Sequence, residues 1–136
     1  MKSMLEILGD HACVVLRNND VVFSSDERGV KPLLDYYNLY GVSFAPLTVV
    51  DKVVGRGAVL LAKRIGAEKI MTPTMSEDAL SLAKYYDMDT EVLEVVPYIV
   101  NRQGDGRCPI ESSVLGITDV EEGVERILAA LASLRK

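Results

Sequence analysis

The chain has 136 residues, of which 49% are hydrophobic and 26% are charged. This length and composition are typical of one globular domain, so we treat residues 1–136 as a single unit. The formal net charge of −5 argues against binding of duplex nucleic acid, which a positive surface favours.

The chain carries no sign of export or of membrane insertion. No apolar stretch approaches the length of about 20 residues that spans a bilayer, and residues 1–8 lack the long apolar segment of a signal peptide. Cys13 and Cys108 lie far apart and form no CxxC pair, so no disulfide framework is expected. We therefore predict a cytoplasmic protein with no membrane partner.

The first half of the chain predicts a short helix, a β-hairpin and a second helix. Two β-branched runs separated by Asn18, Asn19 and Asp20 are typical of a hairpin, because Asn and Asp tolerate positive φ in the turn. Pro32 suits a first helical turn, and Gly41 suits a helix end. The elements are expected over residues 4–8, 12–16, 21–23 and about 32–41, with an extended segment at 47–50.

From Asp51 the apolar residues recur with helical periodicity, and Gly66 is expected to end that helix. Asp51 is a candidate N-cap. The apolar residues on one face are Val54, Ala58, Leu61 and Ile65.

The second half predicts strands that alternate with helices. A short strand at 69–71 should end at Pro73, Ser76 should cap the next helix, and residues 92–100 should form a strand with Pro97 at an edge or a bulge. A polar loop at 101–107 leads to a short helix that opens at Cys108, with Glu111 in a capping box. Asp119 with Glu122 should begin the last helix, whose apolar stripe is Val120, Val124, Ile127, Leu128, Leu131 and Leu134.

This order of elements predicts an α/β domain. A hairpin supplies antiparallel strands, and the helical crossovers that follow supply parallel ones. We therefore expect a three-layer α/β/α architecture with a mixed, mostly five-stranded sheet.

Four segments carry a resemblance to a known family: residues 51–58, residues 75–80, Asn101-Arg102, and residues 108–111. In them the chain resembles a small bacterial family of unknown function that belongs to the cytidine-deaminase-like superfamily. The resemblance covers nearly the whole chain and implies a cytidine-deaminase-like fold, but it implies almost no biochemistry.

The residues that make zinc deaminases of that superfamily active are missing. Those enzymes bind zinc through His-x-Glu at one helix start and Pro-Cys-x-x-Cys at the next. Here the corresponding segments, residues 54–57 and 72–78, contain neither His nor Cys. The single histidine, His11, precedes Ala-Cys, and Cys108-Pro109 reverses the order of the motif. We therefore predict no zinc, no other cofactor and no zinc-deaminase activity.

A first candidate site lies where the helix after Asp51 begins. A helix N-terminus attracts anions, Lys52 and Arg56 add positive charge, and Gly55 would allow a ligand or another backbone to approach closely. This pattern favours a phosphorylated or nucleotide-like small molecule. The alternative is purely structural, with an N-cap and glycines that pack the helix on the sheet. The full set of predicted ligand-binding residues is Asp51, Lys52, Gly55, Arg56, Ser76, Asn101 and Arg102.

A second candidate site pairs Cys108 with Glu111. Nearby arginines would favour the thiolate that a catalytic cysteine requires, and Glu111 could act as the base. Capping of a short helix explains the same residues without any chemistry. We rank metal-independent ligand binding first, an enzyme that uses Cys108 second, and a regulatory or scaffold subunit third, with homo-oligomerisation possible.

Overall fold

The structure, a computed structural model, describes residues 3–100, 104, 106 and 108–134. Its helices are α1 (Met4–Leu8), α2 (Lys31–Tyr40), α3 (Arg56–Ile65), α4 (Glu77–Tyr85), α5 (Pro109–Ser113) and α6 (Val120–Leu134). Its strands are β1 (Cys13–Arg17), β2 (Asp20–Ser25), β3 (Leu47–Asp51), β4 (Val53–Val54), β5 (Ala67–Ser76) and β6 (Asp89–Val96).

The strands form one mixed sheet of six strands. β1 is antiparallel to β2 and β3, whereas β3, β4 and β6 all run parallel to β5. β6 pairs with β5 along residues 69–76, so β3 and β4 must share the other edge of β5. Across the sheet the strands therefore occupy five positions, in the order β2, β1, β3 with β4, β5 and β6. The sheet has six strands instead of the expected five because the third position is interrupted at Lys52, between β3 and β4.

The predicted hairpin is confirmed, and its turn explains the two asparagines. β1 and β2 are joined by Asn18 and Asn19, with φ of 51° and 70°. A two-residue hairpin loop with positive φ at both residues matches the right-handed twist of the strands, and asparagine adopts such angles more readily than most residues.

The larger part of the core lies on one face of the sheet, under α2, α3 and α4. α3 is buried on nearly all sides, because the sheet lies on one side of it and α6 packs on it as well. The contact with α6 is close: a Cβ on Gly123 would lie 2.7 Å from the Leu60 side chain.

Only part of the apolar stripe predicted for α6 is buried. Val124 and Ile127 belong to the core, but Leu128 and Leu134 are 50% and 57% exposed. Their burial was predicted wrongly, since α6 makes most of its contacts with α3 and α5, and those elements cover one side of it.

The opposite face of the sheet is covered by α1. Met4 and Leu8 pack there on side chains from three strands, so helices lie on both faces. The capping box that begins this five-residue helix is formed by Ser3 and Glu6. The strand residues beneath α1 are Val14, Leu16, Val50 and Met71.

Two strand boundaries differ from the predictions at prolines. β5 continues through Pro73, because the Thr72 hydroxyl accepts the N–H of Thr74 at 3.2 Å and donates to its carbonyl oxygen at 2.9 Å, which supports the backbone around the proline. β6 ends at Val96, one residue before Pro97. Most of the predicted loop at 101–107 lies outside the described residues. None of the helices that the structure describes is long and apolar enough to cross a membrane.

Candidate functional site at the start of α3

α3 begins later than the sequence suggests, and its start determines which backbone N–H groups are free in its first turn. Gly55 is its N-cap and Arg56 its first residue. Asp51 ends β3 instead, so its assignment as the N-cap is wrong. The apolar periodicity misplaced the helix start because Val54 also faces the core, but as part of the short strand β4.

The free N–H groups of the first turn of α3 bind a carboxylate of the protein itself. The backbone N–H groups of Arg56 and Gly57 donate to Oε1 and Oε2 of Glu111, the second at 3.1 Å. Glu111 lies in α5, so the predicted capping box in its own helix is not the contact that it makes. Burial raises the pKa of Glu111, while the two N–H donors oppose that rise.

The glycines at this helix start leave room for the carboxylate. A Cβ on Gly55 would lie 2.1 Å from Oε1 of Glu111, and a Cβ on Gly57 would lie 3.3 Å from Oε2. No side chain fits at the first distance without movement of Glu111. The close approach expected from the glycine pattern is therefore that of an internal side chain.

The guanidinium of Arg56 joins three parts of the fold. It is buried, with 5% of the residue exposed, and its Nε donates to the carbonyl oxygen of Ile117 at 2.9 Å. Its Nη1 donates to Oδ1 of Asp78 at 2.8 Å in the first turn of α4. Ser76 caps α4 as predicted, accepting the N–H of Ala79 at 3.1 Å. Arg56 thus links the starts of α3 and α4 to the segment before α6.

The guanidinium of Arg56 donates hydrogen bonds to two different groups, so another cation cannot easily replace it. We expect Arg56→Lys to lower the free energy of unfolding by about 2 kcal/mol, because one ammonium cannot reach both Ile117 and Asp78 with the same geometry. Chemical denaturation would measure this loss. The control is Lys52→Arg, a conservative exchange at an exposed residue, which should change stability by less than about 0.5 kcal/mol. Equal effects of the two exchanges would contradict the structural role of Arg56.

Asp51 is the second unusual group near the site. It is 6% exposed, its Oδ1 accepts the N–H of Val53 at 3.4 Å, and its Oδ2 is buried without a hydrogen-bond partner in the described part of the chain. Burial raises the pKa of Asp51 to about 7, although the N–H groups of Val53 and Lys52 and the Cys13 thiol act in the opposite direction.

Cys13, for which the sequence predicted no role in the site, lies directly opposite Asp51 in the β1–β3 register. It is fully buried, and burial together with the Asp51 carboxylate raises the pKa of its thiol. No short motif signals this pairing, because the two residues are 38 positions apart and meet only through the antiparallel register.

The remaining predicted residues are placed as follows. Lys52 is exposed. Cys108 is partly buried, lies at the N-cap position of α5 and packs against the core. Asn101 and Arg102 lie outside the described residues. The structure thus brings together Gly55, Arg56 and Glu111. Within the residues described, no group of three or more His, Cys, Asp or Glu side chains is arranged to hold a metal ion.

The family model described as "Domain of unknown function (DUF1893)" matches residues 2–131. No curated protein matches the chain. A crystal structure of the DUF1893 family protein TM1506 from Thermotoga maritima is similar, with a TM-score of 0.80 and 24% identity over 92% of this chain and 85% of that one. This identity shows a shared fold and does not transfer an activity. On the family match, the chain belongs to the DUF1893 family of domains of unknown function.

Proposed function

We propose that this protein is a metal-independent domain that binds a phosphorylated or nucleotide-like small molecule at the start of α3, in exchange for Glu111. One observation carries the proposal: two backbone N–H groups at that helix start hold a carboxylate that comes from 54 residues further along the chain. A cradle that accepts two carboxylate oxygens has the donors and the space for two phosphate oxygens.

The energetics of Glu111 favour such an exchange. Its carboxylate is partly buried, and this burial raises its pKa, so the anionic form is less favourable there than in water. A phosphate carries more charge at neutral pH and would gain more from the helix dipole and from the guanidinium of Arg56. Glu111 released to solvent would regain its hydration.

We also propose that the chain has a cytidine-deaminase-like fold, which the arrangement of the elements supports. An antiparallel hairpin leads into parallel strands, and α3 and α4 start close together. The resemblance in sequence places the zinc ligands of deaminases at these two helix starts. Here the ion pair between Arg56 and Asp78 joins them, which suits an anion-binding role without a metal.

The proposal is tested by titrating the ¹⁵N-labelled protein with inorganic phosphate and with cytidine monophosphate at millimolar concentrations. We expect the amide signals of Arg56 and Gly57 to shift with saturation. Glu111→Gln should bind about tenfold more tightly, because the competing charge is removed while the side-chain size is kept.

The matched control is Glu121→Gln on α6, which changes the net charge equally at an exposed position. Its affinity should equal that of the unmodified protein. Three results would each contradict the proposal: no shift at Arg56 and Gly57, the same gain in both variants, or shifts confined to another surface.

A further inference from the structure

β6 forms an open edge of the sheet. In the described residues it pairs only with β5, so the backbone N–H and C=O groups on its outer side are available to another strand. It is eight residues long. The other edge strand, β2, is less suited to strand addition, because its pairing with β1 shifts register between Val15 and Leu16.

The side chains of β6 are unusual for an exposed edge. Leu93 is 63% exposed and Val95 is 44% exposed. Because alternate residues of a strand point to the same side, Leu93 and Val95 form an apolar pair on one side of β6.

β6 also carries a uniform charge. Asp89, Glu91 and Glu94 are exposed, and the described part of the chain provides none of them with an ion pair. The strand contains no Lys or Arg. Charges on an edge strand normally discourage pairing with another strand. Carboxylates on the edge therefore favour only a partner strand that carries positive charge.

We propose that the open edge of β6 binds an extended segment of a partner protein that contains both basic and apolar residues. The partner adds a strand through its backbone and covers Leu93 and Val95 with apolar side chains. Its basic side chains lie beside Glu91, on the same side of β6 as Leu93, and beside Glu94, on the other side. A second copy of this chain fits poorly, because β6 against β6 would bring three carboxylates from each strand to one seam with no basic residue in it. This surface is separate from the start of α3 and does not depend on the proposed ligand.

The test uses a fluorescently labelled ten-residue probe peptide of Lys and Val, blocked at both ends and ordered so that one register sets Lys opposite Glu91 and Glu94 and Val opposite Leu93 and Val95. Binding to the intact protein is followed by fluorescence anisotropy at low salt, and amide hydrogen exchange of the protein locates the contact. We expect binding together with new protection at alternate amides of β6. The variant Glu91→Lys/Glu94→Lys should lose at least about tenfold in affinity.

Two controls separate strand addition from simple charge attraction. Glu121→Lys/Glu125→Lys makes the same change of net charge on exposed residues of α6 and should bind like the unmodified protein. A backbone N-methylated copy of the peptide keeps every charge but cannot complete the ladder, so it should not bind. Absence of protection in β6, binding of the N-methylated peptide, or equal losses in the two double variants would overturn the proposal. So would a dimer in analytical ultracentrifugation that Glu91→Lys/Glu94→Lys strengthens.

Discussion

Replacement of Gly55 by alanine is expected to lower the free energy of unfolding by about 2–3 kcal/mol. A Cβ at this position would lie 2.1 Å from a carboxylate oxygen of Glu111, so Glu111 would have to leave the first turn of α3. The N–H groups of Arg56 and Gly57 would then lose their acceptor in a partly buried place. Urea unfolding, followed by circular dichroism, would measure the change.

A double-mutant cycle makes this prediction specific. In a Glu111→Ala background the added methyl group no longer displaces a carboxylate, so Gly55→Ala should then change stability by less than about 1 kcal/mol. Glu121→Ala supplies the control background, in which the full loss should persist. Additive effects of Gly55→Ala and Glu111→Ala would show that the two residues do not meet as described.

Replacement of Asp51 by asparagine should change the pH dependence of stability. The pKa of Asp51 rises from 3.8 to about 7 in the folded protein, so folding favours the protonated carboxyl. Its contribution to stability is complete below about pH 4 and is lost as the pH rises through 7. Asp51→Asn stays neutral, and its stability relative to the unmodified protein should therefore increase by about 3–4 kcal/mol between pH 4 and pH 8.

Chemical denaturation of both proteins at several pH values would measure this difference. Asp10→Asn, at an exposed position, is the control for loss of one carboxyl from the surface. A relative stability of Asp51→Asn that stays constant, or that falls with rising pH, would contradict the raised pKa.

The fold could be predicted to a large extent because most of its signals are local. The asparagines of the β1–β2 turn, the cap of α4 at Ser76 and the beginning of α6 at Asp119 each depend on neighbouring residues, and the structure confirms them. The prediction of strand ends at prolines was less successful. A side chain can support the backbone beside a proline, as Thr72 does at Pro73, and periodicity does not detect this contact.

The residues of the site were predicted from the sequence, but the contacts between them were not. Gly55, Arg56 and Glu111 were all candidates, yet they were assigned to two separate sites. Their meeting depends on where α5 packs, which no local pattern encodes. The pairing of Cys13 with Asp51 likewise depends on the register between β1 and β3. In each case the residues that meet are far apart in the chain, and a single sequence does not show which distant residues come into contact.

The contacts of Arg56 also have a consequence for synthesis on the ribosome. Its guanidinium depends on the carbonyl of Ile117, and its backbone N–H depends on Glu111, 61 and 55 residues later in the chain. At translation rates of about 5–20 residues per second, these partners emerge roughly 3–12 s after Arg56 itself. During that interval the guanidinium lacks the carbonyl of Ile117 and the first turn of α3 lacks its carboxylate acceptor, although Asp78, 22 residues after Arg56, has already emerged. The start of α3 therefore reaches its final packing only when α5 and the segment before α6 arrive.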